Sequence, residues 1–302
     1  MTVYTVIVAY NSSAFLDACL RTLEKEWTEI VVVDNSTDPR ERAECMAIAA
    51  SRRVKYELQE RNIGFGAGVN RGVEIVSPVD GDWVWALNPD TEVSPGCVTA
   101  LLRAAAANGA VLLSPVVTMG VDRDRVWFAG GDLNLRTGRT VHRSYGLLLS
   151  DLQLFDTTCT FLTGAALFVS SEFWRKLGGM REDLFLYWED ADFSRKAIEA
   201  GARLEVVPDA LVWHQVGASG GLIGMSAGYH YFMQRNRCIL AIELHRCVLT
   251  AFVATFPEIL RSLAISVLRE ESDRGRKLGA SIRGILDGLR TGRKYLALSR
   301  HG

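Results

Sequence analysis

Apolar and polar positions alternate in blocks, and each apolar block of the first half stops on a polar turn. Residues 4–9 read as a first buried strand ended by Tyr10-Asn11-Ser12-Ser13, where Ser or Asn can cap a helix over 14–25 that turns Phe15, Leu16, Cys19, Leu20 and Leu23 to one side. Residues 29–33 repeat the pattern and stop on Asp34-Asn35-Ser36-Thr37-Asp38-Pro39, ahead of a helix over 40–51. A shorter strand over 54–58 precedes a glycine-rich stretch, 60–72, that leads into a helix over 69–76. Trp83-Val84-Trp85-Ala86-Leu87 is the next buried run. It halts at Asn88-Pro89-Asp90-Thr91-Glu92, because Asn-Pro cannot continue a central ladder. Strand and helix in alternation predict an α/β fold, a mostly parallel doubly wound sheet whose polar strand ends share the edge where open sheets bind ligands.

The order then loosens. An alanine-rich helix over 97–108 and a strand over 110–115 are followed, in 121–153, by glycines, charges and alternation that predict hairpins and a mobile loop. Residues 161–169 read as a strand, Ser170 or Ser171 as the cap of a helix through Leu177, and Gly178-Gly179 as its stop. Glu189, Asp190 and Asp192 then stand at the start of a helix over 191–200, a strand follows over 203–207, and Trp213-His214-Gln215 closes an apolar approach. Beyond Gly228 the pattern is helical: 229–244, 247–256 and, after Pro257, two more segments up to Tyr295.

Composition narrows the class. With 302 residues, 48% hydrophobic and 23% charged, the chain suits one large α/β domain or such a domain with an appendage. A net charge of −1 gives no global pull toward nucleic acid. Six scattered cysteines, none in a Cys-x-x-Cys pair, predict reduced, buried thiols rather than bridges or zinc ligands, which favours the cytoplasm. No signal peptide is expected, since Met1 leads almost directly into the first strand, and no run reaches the roughly 18 uninterrupted apolar residues of a membrane span.

Candidate chemistry gathers at three acidic sites: Asp34, Asp90 and the Glu189, Asp190, Asp192 cluster. A sugar nucleotide needs an acceptor for its base or ribose, a metal ligand for its diphosphate and a general base for the incoming hydroxyl, and carboxylates serve all three. Each site also has a plainer reading. Asp34 suits a turn as well as a ribose, Asp90 can cap the next helix, and the cluster favours any helix N-terminus. Gly64-x-Gly66-x-Gly68 departs from the dinucleotide fingerprint and follows the third strand, so it serves close chain approach or an amide-lined anion site.

Val8-Ala9-Tyr10-Asn11, Val33-Asp34-Asn35-Ser36, the run from Asn62 to Asn70, Leu87-Asn88-Pro89-Asp90, Thr163-Gly164-Ala165 and Trp188-Glu189-Asp190-Ala191-Asp192-Phe193 occur in this order. Together they resemble family 2 inverting glycosyltransferases, and most nearly the bacterial rhamnosyltransferase-like branch of cell-wall and surface-polysaccharide assembly. The resemblance implies a GT-A fold with a nucleotide-sugar half over 1–115, an acceptor and catalytic half over 116–228 and a helical region over 229–302, with a divalent metal, Mg²⁺ or Mn²⁺, as cofactor. It implies that Asp34 contacts base or ribose with Tyr10 and Asn62 nearby, and that Ala9, Asn11, Gly64, Phe65 and Asn70 line the donor side. Asp90 matches the last acid of the family's Asp-x-Asp metal motif, and Asn88 stands where the first usually lies. Asp190 matches the catalytic base, with Glu189 orienting it or raising its pKa by repulsion. His214 resembles a C-terminal histidine that approaches metal or diphosphate, or else is structural; Trp188 stacks on an acceptor sugar or belongs to the core. The implied reaction transfers a sugar, L-rhamnose from dTDP-L-rhamnose in this branch, to a glycan or lipid-linked glycan with inversion. A catalytically silent sugar-nucleotide or glycan-binding protein is the alternative.

From Arg261 onward ten basic residues face four acids. This excess, beside Leu263, Ile265, Val267 and Leu268, suits an anionic membrane surface or, equally, a helical appendage packed on the domain or on a second subunit of a homo-oligomer.

Overall fold

The computed structural model describes residues 1–134, 136–153, 156–215, 225–268 and 270–298. Two compact units emerge: Met1–Asp132 with His142–Phe185 and Glu189–Val216, and Leu133–Val141 with Leu186–Trp188 and Gly217–Gly302.

The elements run in order β1 (Val3–Ala9), α1 (Ser13–Leu23), β2 (Glu29–Asp34), α2 (Pro39–Ser51), β3 (Lys55–Leu58), α3 (Phe65–Val76), β4 (Trp83–Leu87), β5 (Thr91–Val93), α4 (Cys97–Asn108) and β6 (Leu112–Met119). There follow β7 (Arg125–Phe128), β8 (Gly131–Asn134), β9 (Arg139–His142), β10 (Thr158–Cys159), β11 (Ala166–Ser170), α5 (Ser171–Leu177), α6 (Glu189–Glu199) and β12 (Leu204–His214). Helices α7 (Ala227–His245), α8 (Val248–Leu268) and α9 (Arg274–Leu298) complete the chain.

The first unit is built on a sheet ordered β10-β12-β6-β11-β4-β1-β2-β3. Buried runs such as Val6-Ile7-Val8-Ala9 and Val31-Val32-Val33 pair in parallel, β1 with β2 and β4, because a helix crosses between them. The sheet is less uniform than periodicity predicts: β11 lies antiparallel between β4 and β6, setting Ala166 beside Leu87. That arrangement brings the start of β11 to the same edge as the ends of β1, β2 and β4.

Helix α3 starts at Phe65, not Val69, so the glycines lie inside it. Their helix cost is offset by close packing: a Cβ on Gly68 or Gly72 would run into Val8 or Val6 of β1. Likewise the residues 161–165 precede β11 rather than belong to it, and β12 extends well past Val207 to His214. Cys19, Cys45, Cys97, Cys159 and Cys238 are buried free thiols as expected, whereas Cys247 is exposed.

In the second unit α9 lies against α7 through Gly284, Gly288 and Gly292. A Cβ on the first two would collide with the carbonyl oxygens of Tyr231 and Arg235. Cys238, Ile259 and Ile285 form one apolar cluster of the three helices, and Ala241, Ile242, Ala251 and Leu296 another. The expected break at Pro257 does not occur; α8 continues through it for 21 residues, because Pro257 sits on the exposed side where the lost bond to Val253 costs least. By length and composition α8 could cross a membrane, with a mean hydropathy of 1.6, which interruptions by Thr, Ser, Glu and Arg conceal in an uninterrupted-run count.

Candidate active site

At the sheet edge, the polar residues after β1 and β2 are tied to one another. Asn35 N donates to Ala9 O at 2.8 Å, and Asn11, at φ 47°, donates its N–H to Ser36 Oγ at 2.8 Å. Asp34 is fully buried, and its two carboxylate oxygens accept from Ser36 N at 2.8 Å and Tyr56 Oη at 2.6 Å. Burial and this carboxylate hold the Tyr56 phenol protonated, far above its ordinary range. Tyr10 is exposed beside them, with 45% of its surface accessible. The plain turn-forming reading of Asp34 is therefore met in part, since it does bond its own turn.

Asn35 Nδ2 next donates to Gly64 O at 2.9 Å, and Asn62 Oδ1 accepts from Gly64 N at 2.9 Å. Gly64 has φ 91° and abuts the Phe185 backbone, whose carbonyl accepts from Phe65 N at 2.8 Å. Here the glycine run serves close approach. Asn70 is engaged by the chain itself, donating to Met180 O and Glu182 Oε1 and accepting from Met180 N, each at 2.9 Å.

The turn after β4 meets the turn before β11. Asn88 N donates to Ala165 O at 3.0 Å, and one residue earlier Gly164 N donates to Asp190 Oδ2 at 3.0 Å. Gly164 also fills the gap between the Phe65 ring and Asp190; a Cβ there would be 3.1 Å from the one and 3.4 Å from the other. Three sequence motifs, around residues 65, 88 and 190, thus converge on Thr163-Gly164-Ala165.

Asp190 Oδ1 accepts from Ala191 N at 2.8 Å. Burial raises its pKa, opposed by the Gly164 and Ala191 N–H groups, while Glu189, buried with Oε2 lacking a partner among the described residues, is pushed up to about 8 by burial and then by Asp190. Burial is the largest cause of the rise in Asp190, and the two neighbouring carboxyls repel each other when both are ionised. The two amide donors favour the ionised form of Asp190, whereas Glu189 Oε2 has no such partner among the described residues. The approach to this pair is strained: Phe185, Tyr187 and Trp188 have φ of 66°, 65° and 75°.

Asp90 Oδ1 lies 3.1 Å from His214 Nε2, which is 3.4 Å from Asn88 Nδ2. Antiparallel pairing of β5 with β12 sets His214 opposite Thr91 and so beside Asp90. His214 is buried, edge-on to Trp127 at 4.7 Å, and its Nδ1 has no partner among the described residues. No group of three or more His, Cys, Asp or Glu clusters as a complete metal cage among the described residues. One carboxylate and one imidazole fit a divalent ion that takes its remaining ligands from a bound diphosphate.

Trp188 belongs to the second unit, where its ring is buried, Nε1 donates to Met233 O at 3.1 Å and the Arg237 guanidinium lies 5.6 Å over it. Sequence reasoning gave no role to Asn35, Tyr56, Gly164 or Trp127. Gly164 had a signal in its motif; Tyr56 had none, since only the β2–β3 pairing brings it beside Asp34.

The model of the family "Glycosyl transferase family 2" matches residues 4–171. An N-acetylglucosaminyl-diphospho-decaprenol L-rhamnosyltransferase of Mycobacterium tuberculosis is 27% identical over 243 residues, 72% of this chain and 76% of that one. A dTDP-rhamnosyl transferase of Shigella flexneri is 23% identical over 298 residues, 95% of each chain. Among solved structures, GalNAc-T7 with UDP, GalNAc and Mn²⁺ superposes with a TM-score of 0.58 at 15% identity, over 86% of this chain and 57% of that one, a likeness of fold. The fold is accordingly of GT-A type, with a helical region at the C-terminal end.

Proposed function

Because the chain belongs to glycosyl transferase family 2, we propose that it is an inverting rhamnosyltransferase. It moves L-rhamnose from dTDP-L-rhamnose to a lipid-linked glycan in cell-wall or surface-polysaccharide assembly. The names of its relatives from Mycobacterium tuberculosis and Shigella flexneri support the sugar and the acceptor class. The observation that carries the chemistry is the Asp190 carboxylate held by two backbone N–H groups at 3.0 and 2.8 Å, joined through residues 163–165 to the Asn88 turn.

In this reading residues 1–115 hold the nucleotide sugar and 116–228 supply acceptor contacts and the base. Asp34, Tyr10, Asn11 and the Asn62–Phe65 turn receive the nucleoside. Asp190 removes the proton of the acceptor hydroxyl as that oxygen attacks the anomeric carbon from the face opposite the leaving diphosphate, so the configuration inverts. Its two amide donors favour its ionised form and aim it, with the Glu189 carboxyl, pushed up to about 8, beside it. Asp90 and His214 would hold a divalent ion, which when bound supplies positive charge against the leaving diphosphate. Asn88 contributes an amide where the family's usual motif has an acid, so the ion would face one negative charge fewer from the protein.

Transfer from dTDP-L-rhamnose to a polyprenyl-diphosphate-linked N-acetylglucosamine acceptor, followed by product mass, tests this. Formation of the rhamnosylated lipid supports it; transfer only from a UDP-sugar overturns the donor, and no transfer with retained binding of the dTDP-sugar overturns the enzyme reading.

A further inference from the structure

Helix α8 is amphipathic in the wrong sense for a protein surrounded by water. Of its five buried residues three are polar, Thr255, Glu258 and Ser266. Ser266 Oγ lies 3.0 Å from His230 Nδ1 and 3.3 Å from Ser281 Oγ, and Glu258 pairs with Arg261 at 3.0 Å. The opposite side is an apolar stripe: Leu249, Val253, Phe256, Leu260 and Val267 are 71, 64, 43, 49 and 40% exposed. Their spacing of four, three, four and seven residues keeps them on one line along the helix. Single exposed apolar side chains need no explanation, but a continuous stripe over a whole helix marks a surface that is covered when the protein works.

Charge identifies the cover. Helix α9, packed against α7 and α8, exposes Arg276, Arg283, Arg290, Arg293 and Lys294, with the first three at heptad spacing. The acids on or beside α9 do not offset that row: Glu270 is buried with Lys277 at 2.6 Å, Asp287, half-buried, accepts from Tyr231 Oη at 3.0 Å, and the exposed Glu271 and Asp273 lie in the turn ahead of α9. An isologous contact between two copies would bring the two cation rows together, whereas a bilayer offers acyl chains to the stripe and phosphates to the cations.

We propose that α8 and α9 dock the protein on an anionic phospholipid bilayer, α8 lying in the interfacial plane with its stripe among the acyl chains. It does not span, since its inner side is occupied from Ala251 to Ser266 by packing against α7 and α9. This inference is independent of the donor and acceptor assignment.

Sedimentation of the full chain with phosphatidylcholine vesicles, with and without phosphatidylglycerol, tests it. The protein is expected to pellet with the anionic vesicles, and high salt or the triple variant R283Q/R290Q/K294Q should weaken this by at least about tenfold. The variant L249S/V253S/L260S, altered only at exposed positions, should lose binding to both vesicle types. In F256W, which needs no loss of fold, the added indole should shift its emission to the blue on addition of anionic vesicles. Absence of pelleting, binding unchanged in both triple variants, or no shift in F256W overturns the proposal. A dimer in solution that L249S/V253S/L260S converts to monomer also overturns it and assigns the stripe to a second copy.

Discussion

His214 Nε2 stands 3.1 Å from Asp90 Oδ1, although the two residues are 124 apart in the chain. The contact exists because β12 runs on to His214 and pairs with β5, which begins at the turn carrying Asp90. If the pair holds the ion, Asp90→Ala should abolish the thermal stabilisation given by Mn²⁺ plus dTDP, and reduce turnover by more than the about 10–100-fold typical of an outer-shell partner. His214→Ala should weaken the same stabilisation less. Unchanged metal-dependent stabilisation in both variants removes the assignment.

Asp190 is held at the mouth of α6 by Gly164 N and Ala191 N. Asparagine preserves shape but can accept only one of those two bonds, since its NH₂ group donates, and it cannot take a proton. Asp190→Asn is expected to lower kcat by about 10²–10⁴-fold with the donor KM nearly unchanged and the melting temperature lowered by no more than the one lost hydrogen bond. In the wild type, kcat/KM should fall on the acid side at a pH above the range of an exposed aspartate, since burial raises this carboxyl. A variant with near-normal turnover would exclude Asp190 as the base.

Glu189 makes a stability prediction with a definite sign. Its carboxyl is raised from 4.5 to about 8 by burial and by Asp190, so the folded protein keeps a proton that the unfolded chain releases. Its stabilising contribution is therefore complete below about pH 4.5 and lost as pH climbs to about 8. Glu189→Gln removes that titration. The two proteins should melt alike near pH 5, and the variant should melt progressively higher as pH rises, by about 2–4 °C for each kcal/mol recovered. A gap that stays constant between pH 5 and 8 contradicts the buried, protonated Glu189.

Much of this site can be read from the chain because it sits where buried runs stop. Ala9, Asp34 and Asn88 end three runs of apolar residues, and parallel pairing alone then sets them on one edge. Periodicity does not encode strand order, however. Neither the antiparallel insertion of β11 nor the reach of β12 to residue 214 is written in local pattern, and these two features bring Gly164 and His214 into place. Helix α3 begins four residues before its apolar stripe, as Gly66 and Gly68 carry a helix penalty that only packing on Arg181 and Val8 offsets. At α8 the rule that proline ends a helix fails for a complementary reason, since Pro257 faces outward.

Two glycines with left-handed backbones separate site geometry from ordinary stability. Gly109, at φ 63°, ends α4 with nothing near the position of a Cβ, so Gly109→Ala should cost about 1–2 kcal/mol of stability from backbone strain and leave kcat unchanged. Gly64, at φ 91°, has the Phe185 backbone where its Cβ would stand, and Phe65 N bonds the same Phe185 carbonyl. Relief of that clash must move backbone that leads directly into Glu189 and Asp190. Gly64→Ala should therefore lose a further 1–3 kcal/mol, roughly the cost of overpacking, and also lose kcat, measured at a temperature where the variant remains folded. If Gly64→Ala lowers the urea midpoint but turns over like the wild type, the Phe185 contact supports the fold without setting the position of Glu189 and Asp190.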